Sequence, residues 1–107
     1  MEVADLRTSV TREGEQTVIH IAGELDMSTT GQLSDTVTAE LRECPGRLVL
    51  DLAGLYFCDS LGLGTLIVLS RTAQTQQVFL ALRNPSEFFS QMLDITGLRE
   101  GLNVTAD

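Results

Sequence analysis

The chain has 107 residues, 43% of them hydrophobic, so one domain spanning residues 1–107 with a single modest core is expected. Its formal charge is −8 and every one of its 7 basic residues is an arginine, which argues against a nucleic-acid or anionic-membrane surface. Two cysteines and one histidine are too few for a Cys/His zinc site.

No stretch approaches the roughly 20 consecutive apolar residues of a membrane span. The start, Met1-Glu2-Val3-Ala4-Asp5, is acidic and lacks the basic and apolar regions of a secretory signal, so a cytoplasmic address is expected. In a reducing compartment Cys44 and Cys58 are expected as buried free thiols, although a disulfide between them stays open.

In chain order, residues 5–12 give a weak strand signal and Glu13-Gly14-Glu15 a turn. Thr17-Val18-Ile19-His20-Ile21-Ala22-Gly23 is a β-branched run, so an antiparallel pair is expected. Ser28 or Thr29 can cap a helix in which Leu33, Val37 and Leu41 recur on one face. Cys44-Pro45-Gly46 ends it, because proline cannot continue the ladder. Leu48-Val49-Leu50-Asp51-Leu52 reads as a short central strand covered on both faces.

A loop through Tyr56 and Phe57 then leads to a helix over residues 60–76. Its core face is expected to carry Leu63, Leu66, Ile67 and Ser70. Val78-Phe79-Leu80-Ala81-Leu82 is another strand, and Asn84-Pro85 reads as a cap and first helical residue. The helix after it should bury Phe88 or Phe89 with Met92 and Leu93, and stop at Gly97. Leu102-Asn103-Val104 is a candidate edge strand. This alternation predicts an α/β fold: a mixed, mainly parallel sheet of about five strands with three main helices.

Most catalytic signatures fail. A chain without lysine has neither a Walker A motif nor a Schiff-base catalyst. Ile67 stands where a dinucleotide-binding glycine is needed, and Cys58 where a hydrolase elbow needs glycine. Ser60, His20 and an aspartate form a nominal triad, but a mid-strand histidine without a spacing signature is ordinarily structural. Asp26, Asp51 and Asp59 are candidates to converge at strand ends as a magnesium or acid–base site; Asp51 inside a strand reads more simply as a hydrogen-bonded structural residue. Neither a cofactor nor an enzyme is expected.

The informative segment runs from Asp51 to Gly64 and ends in the motif Asp59-Ser60-Leu61-Gly62-Leu63-Gly64. Serine is a good N-cap, and glycines in a first turn allow close backbone approach, so capping and packing alone account for it. Together with Gly23-Glu24-Leu25-Asp26 and Leu93-Asp94-Ile95-Thr96-Gly97-Leu98, however, it resembles the anti-sigma factor antagonist family with its STAS domain. The likeness runs from about residue 10 to residue 104.

That resemblance implies a regulatory binding protein of stress or sporulation signalling. Its phosphoacceptor would be Ser60, and Gly23, Glu24, Leu25, Asp26 and Asp59 would belong to the docking region. The unphosphorylated form would bind an anti-sigma factor serine kinase and free its sigma factor, and a phosphatase would reset the switch. Leu61 stands where many relatives have a second serine or threonine. Helical spacing puts Leu61 and Val68 away from the core around Gly64, a shallow apolar spot beside Ser60, with Gly62 in the same first turn. The alternative within the same fold is a scaffold or an accessory subunit of a stress-signalling or lipid-transport complex without phosphate turnover.

Overall fold

The computed structural model describes residues 5–43 and 45–105; Cys44 and the chain's first four residues, on which expectations were placed, lie outside it. Strand β1 (Leu6–Glu13) turns through Gly14 and Glu15 into β2 (Gln16–Leu25), pairing antiparallel from Leu6↔Gly23 to Glu13↔Gln16. Gly14 takes the left-handed φ of 66° that the tight turn needs. Then follow α1 (Thr30–Leu41), β3 (Arg47–Cys58), α2 (Ser60–Thr75), β4 (Phe79–Arg83), α3 (Glu87–Thr96) and a 3-10 turn (Arg99–Gly101). The sheet order is β1-β2-β3-β4, with β2, β3 and β4 mutually parallel. The Leu102-Asn103-Val104 segment contributes one parallel bridge, Leu82↔Val104, rather than a full strand.

One core holds the element set together. Ile19 and Ile21 of β2, Leu48, Leu50 and Leu52 of β3, and Leu80 and Leu82 of β4 are buried with the inner faces of the helices. From α1 come Leu33, Val37 and Leu41, as the i, i+4, i+8 spacing requires. From α2 come Gly62, Leu63, Leu66, Leu69 and Ala73; Ile67 packs at the margin and Ser70 is not part of the core. From α3 come Phe89 and Leu93, while Phe88 stays outside.

Three local expectations are corrected. Strand β3 does not end at Leu52 but runs to Cys58. Two register shifts against β2 break the alternation, so the buried residues after Leu52 are Leu55 and Cys58, three apart, a spacing that hides a strand from a period-two reading. Helix α3 starts at Glu87, capped by the Ser86 hydroxyl, which accepts from the Phe89 amide at 3.0 Å. Asn84 instead takes a left-handed φ of 57° and points its amide at Asp51. Thr29 stands at the head of α1 without capping it: its hydroxyl donates to the Glu24 carbonyl (3.0 Å) and accepts from the Asp26 amide (2.9 Å).

On the sheet face away from the helices, Asp51 is 7% exposed and heavily bonded. It accepts from the Ala53 amide (2.9 Å), from Arg83 Nη2 (3.1 Å) and Nε (3.3 Å), and from Asn84 Nδ2 (3.4 Å). Burial alone pushes its carboxyl up, but these donors outweigh burial and hold it below the usual value of 3.8. Asp51 is therefore the structural aspartate that a mid-strand position implied.

Candidate functional site at the start of the second helix

The two sequence motifs meet in space because β2 and β3 are parallel neighbours that end together. Leu25 pairs with Cys58, and the Asp59 amide donates to the Leu25 carbonyl at 3.1 Å. Asp59 leaves the strand with extended backbone and closes the head of α2: its carboxylate accepts from the Gly62 amide at 2.7 Å. Aspartate, not Ser60, is the N-cap. Ser60 is the first helical residue, is exposed, and its hydroxyl has no hydrogen-bond partner among the described residues.

The turn after β2 is built as tightly. Asp26 Oδ1 accepts from both the amide (2.8 Å) and the hydroxyl (2.7 Å) of Ser28, and the Thr30 amide donates to the Asp26 carbonyl at 3.0 Å. Asp26 and Asp59 thus stand on adjoining chain segments, each with its own hydrogen-bonding task. Asp51 lies elsewhere: Cys58 stands seven positions further along the strand, roughly 20 Å at strand rise. The three aspartates do not converge, and among the described residues no group of three His, Cys, Asp or Glu side chains is placed to hold a metal.

The nominal triad falls by the same measure. His20 sits opposite Asp51 in the sheet, Nδ1 at 3.5 Å from Oδ2, and so lies far down the strands from Ser60.

Of the residues expected to meet a partner, three are interior. Leu25 is fully buried in the core. Gly23 is buried with a φ of 107°, and a Cβ there would overlap the Asp5 carbonyl. Gly62 is buried against the Leu25 carbonyl and the Cys58 sulfur. These residues shape the site from beneath and cannot present side chains to another protein. Leu61 and Val68 are 55% and 59% exposed, with open space around the Cα of Gly64 between them. Glu24, Asp26 and Asp59 are partly exposed.

Several residues near the site escaped the sequence reading. Met27 is exposed in the turn beside Asp26, and Tyr56 is 66% exposed near the end of β3. Phe57 stacks on Phe88 of α3, ring centroids 6.4 Å apart at 22°, with both rings still partly open to water. Their signal was a cluster of large apolar residues with no place in the helical and strand periodicities. Below them the Cys58 thiol is pushed up to about 12, by burial first and by the Asp59 charge second, so it is protonated and inert at neutral pH.

No helix among the described residues is long and apolar enough to cross a membrane. The family model described as "Mlab, STAS domain" matches residues 8–104. The protein named anti-sigma-B factor antagonist of Bacillus subtilis (strain 168) is 31% identical over 88 residues, covering 82% of this chain and 80% of that one. An anti-sigma factor antagonist from Mycobacterium paratuberculosis has a similar solved structure, with a TM-score of 0.80 at 25% identity over 96% of this chain and 87% of that one. The unphosphorylated form of the anti-sigma factor antagonist SpoIIAA shares the fold, with a TM-score of 0.73 at 22% identity, covering 94% and 90%.

Proposed function

The chain belongs to the STAS-domain family, and from that premise we propose that it is an anti-sigma factor antagonist switched by phosphorylation of Ser60. The unphosphorylated form binds an anti-sigma factor kinase and so releases the kinase's sigma factor. Phosphate on Ser60 ends that binding, and a phosphatase restores it. The observation that carries the reading is an exposed serine hydroxyl at the head of α2, without a partner among the described residues and held against the Leu25–Asp26 turn by the Asp59–Leu25 hydrogen bond.

The physics of such a switch is simple. A phosphoserine carries about −1.5 to −2 at neutral pH. A helix N-terminus tolerates it locally, since backbone N–H groups face it, and no packed side chain has to move for an exposed hydroxyl. The charge acts instead on the interface, next in sequence to the Asp59 carboxylate and across from the turn that carries Asp26. A tenfold loss of affinity needs only about 1.4 kcal/mol. Leu61 and Val68 supply apolar contact next to the hydroxyl, with Gly64 leaving room between them.

The test is incubation with candidate anti-sigma factor kinases, ATP and magnesium, followed by phosphopeptide mapping and binding measurements. Phosphate is expected on Ser60, with Ser60→Ala binding constitutively, Ser60→Asp binding weakly, and Val68→Asp weakening the complex without unfolding the chain. Equal binding by Ser60→Ala and Ser60→Asp would defeat the switch. A stable complex with no phosphate transfer would assign the chain to a scaffold or accessory subunit instead.

A further inference from the structure

Strand β1 is an edge, and its outer side has no strand across it among the described residues. Its first carbonyl is covered: Leu6 accepts from Gln32 Nε2 at 2.7 Å. Beyond that point Arg7, Ser9, Val10, Thr11, Arg12 and Glu13 are exposed, with no proline and no register shift against β2. Edge strands are usually blunted by such devices, because an open row of N–H and C=O groups templates another strand.

The hairpin fixes which groups face outward. A two-residue loop closes on a hydrogen-bonded pair, here Glu13↔Gln16, so the odd residues of β1 bond inward to β2. Thr8, Val10 and Arg12 therefore offer their N–H and C=O to the outside. The Leu6–Gln32 bond obeys the same parity.

We propose that a second copy of this chain pairs antiparallel with β1 about a two-fold axis at Val10. Antiparallel pairing opposes residues of the same hydrogen-bonding type, so only registers in which the two residue numbers sum to an even value are allowed. That forbids the register placing Arg7 against the partner's Arg12. Centring on Val10 places Arg7 against the partner's Glu13, and by symmetry the reverse, in the pairs whose side chains approach closest. Arg7 and Glu13 make no ion pair or hydrogen bond among the described residues. They lie six strand residues apart, roughly 20 Å, and cannot meet within one chain. Centring on Ser9 would set Glu13 against the partner's Asp5, and centring on Thr11 would leave Glu13 against the uncharged Ser9 and put Arg7 against Glu15 only in the partner's turn, beyond its strand. Charge and strand length together thus select one register among those the backbone allows. The pairing leaves Ser60 free and stands independently of the proposed switch.

Sedimentation or light scattering across a concentration series tests it. The chain is expected to reach twice its monomer mass. Arg7→Glu and Glu13→Arg should each weaken association about tenfold or more, by replacing two opposite-charge contacts with like-charge ones. An equimolar mixture of the two variants should dimerise again, because each contact then regains opposite charges. Circular dichroism checks that both variants stay folded. The proposal is overturned if the native chain is monomeric up to about 1 mM, if either variant alone dimerises like the native chain, or if the mixture stays monomeric.

Discussion

The Asp59 carboxylate accepts a 2.7 Å hydrogen bond from the Gly62 amide, and the Ser60 hydroxyl between them is left without a partner among the described residues. Support of the helix and display of a modifiable group therefore fall to two adjacent side chains. The cap can hold the backbone still while the hydroxyl changes chemistry.

The first prediction separates those two roles. Asp59→Ala removes the cap and should cost about 1 kcal/mol, read as a drop of about 4–8 °C in the unfolding midpoint. Ser60→Ala removes no hydrogen bond of the fold and should stay within about 0.5 kcal/mol of the native chain. Calorimetry of both variants checks this, and equal losses would restore Ser60 as the cap.

The second concerns two glycines on the same helix. An added Cβ at Gly62 would lie 2.7 Å from the Leu25 carbonyl oxygen, 2.9 Å from Leu25 Cγ and 3.0 Å from the Cys58 sulfur. The oxygen belongs to the backbone of a core strand, so Gly62→Ala should destabilise by about 1–3 kcal/mol despite alanine's better helix propensity. At Gly64 a Cβ meets nothing within 4 Å. Gly64→Ala should therefore stabilise by up to about 1 kcal/mol. Denaturant midpoints of opposite sign are the expected result.

The third uses acid. The Asp51 carboxyl titrates below its unfolded value of 3.8, so its contribution to stability is complete above that value and is lost as pH falls through the folded one. Asp51→Asn keeps an acceptor for the Ala53 amide but loses the charge beside Arg83. At neutral pH it should be less stable by about 1–3 kcal/mol. That gap should close as pH drops below about 4. Chemical unfolding of both proteins at a series of pH values gives the comparison; a gap that widens in acid would contradict it.

Much of this fold is legible in the residues, and the failures have definite causes. The β1–β2 hairpin follows from Glu13-Gly14-Glu15 and a β-branched run, and Leu33, Val37 and Leu41 mark the inner face of α1 unaided. Strand β3 beyond Leu52 was hidden, since its register shifts destroy the alternation by which a strand is recognised. The start of α3 is not legible locally because Asn84 is committed to Asp51, a residue 33 positions earlier, and local capping rules cannot register such a bond. At the site, the motifs located Ser60 and its neighbours, but a linear reading does not distinguish side chains that face water from those that floor the surface. Leu25, Gly23 and Gly62 are of the second kind: Leu25 lies in the core, Gly23 against Asp5, and Gly62 against Leu25 and Cys58.

Tyr56 gives the molecule a built-in optical reporter. It is the single tyrosine in a chain without tryptophan, stands four residues before Ser60, and is largely open to water. Its emission can be followed in the unlabelled protein against any binding partner that lacks both tyrosine and tryptophan, so events at this end of the sheet need no engineered dye to be seen.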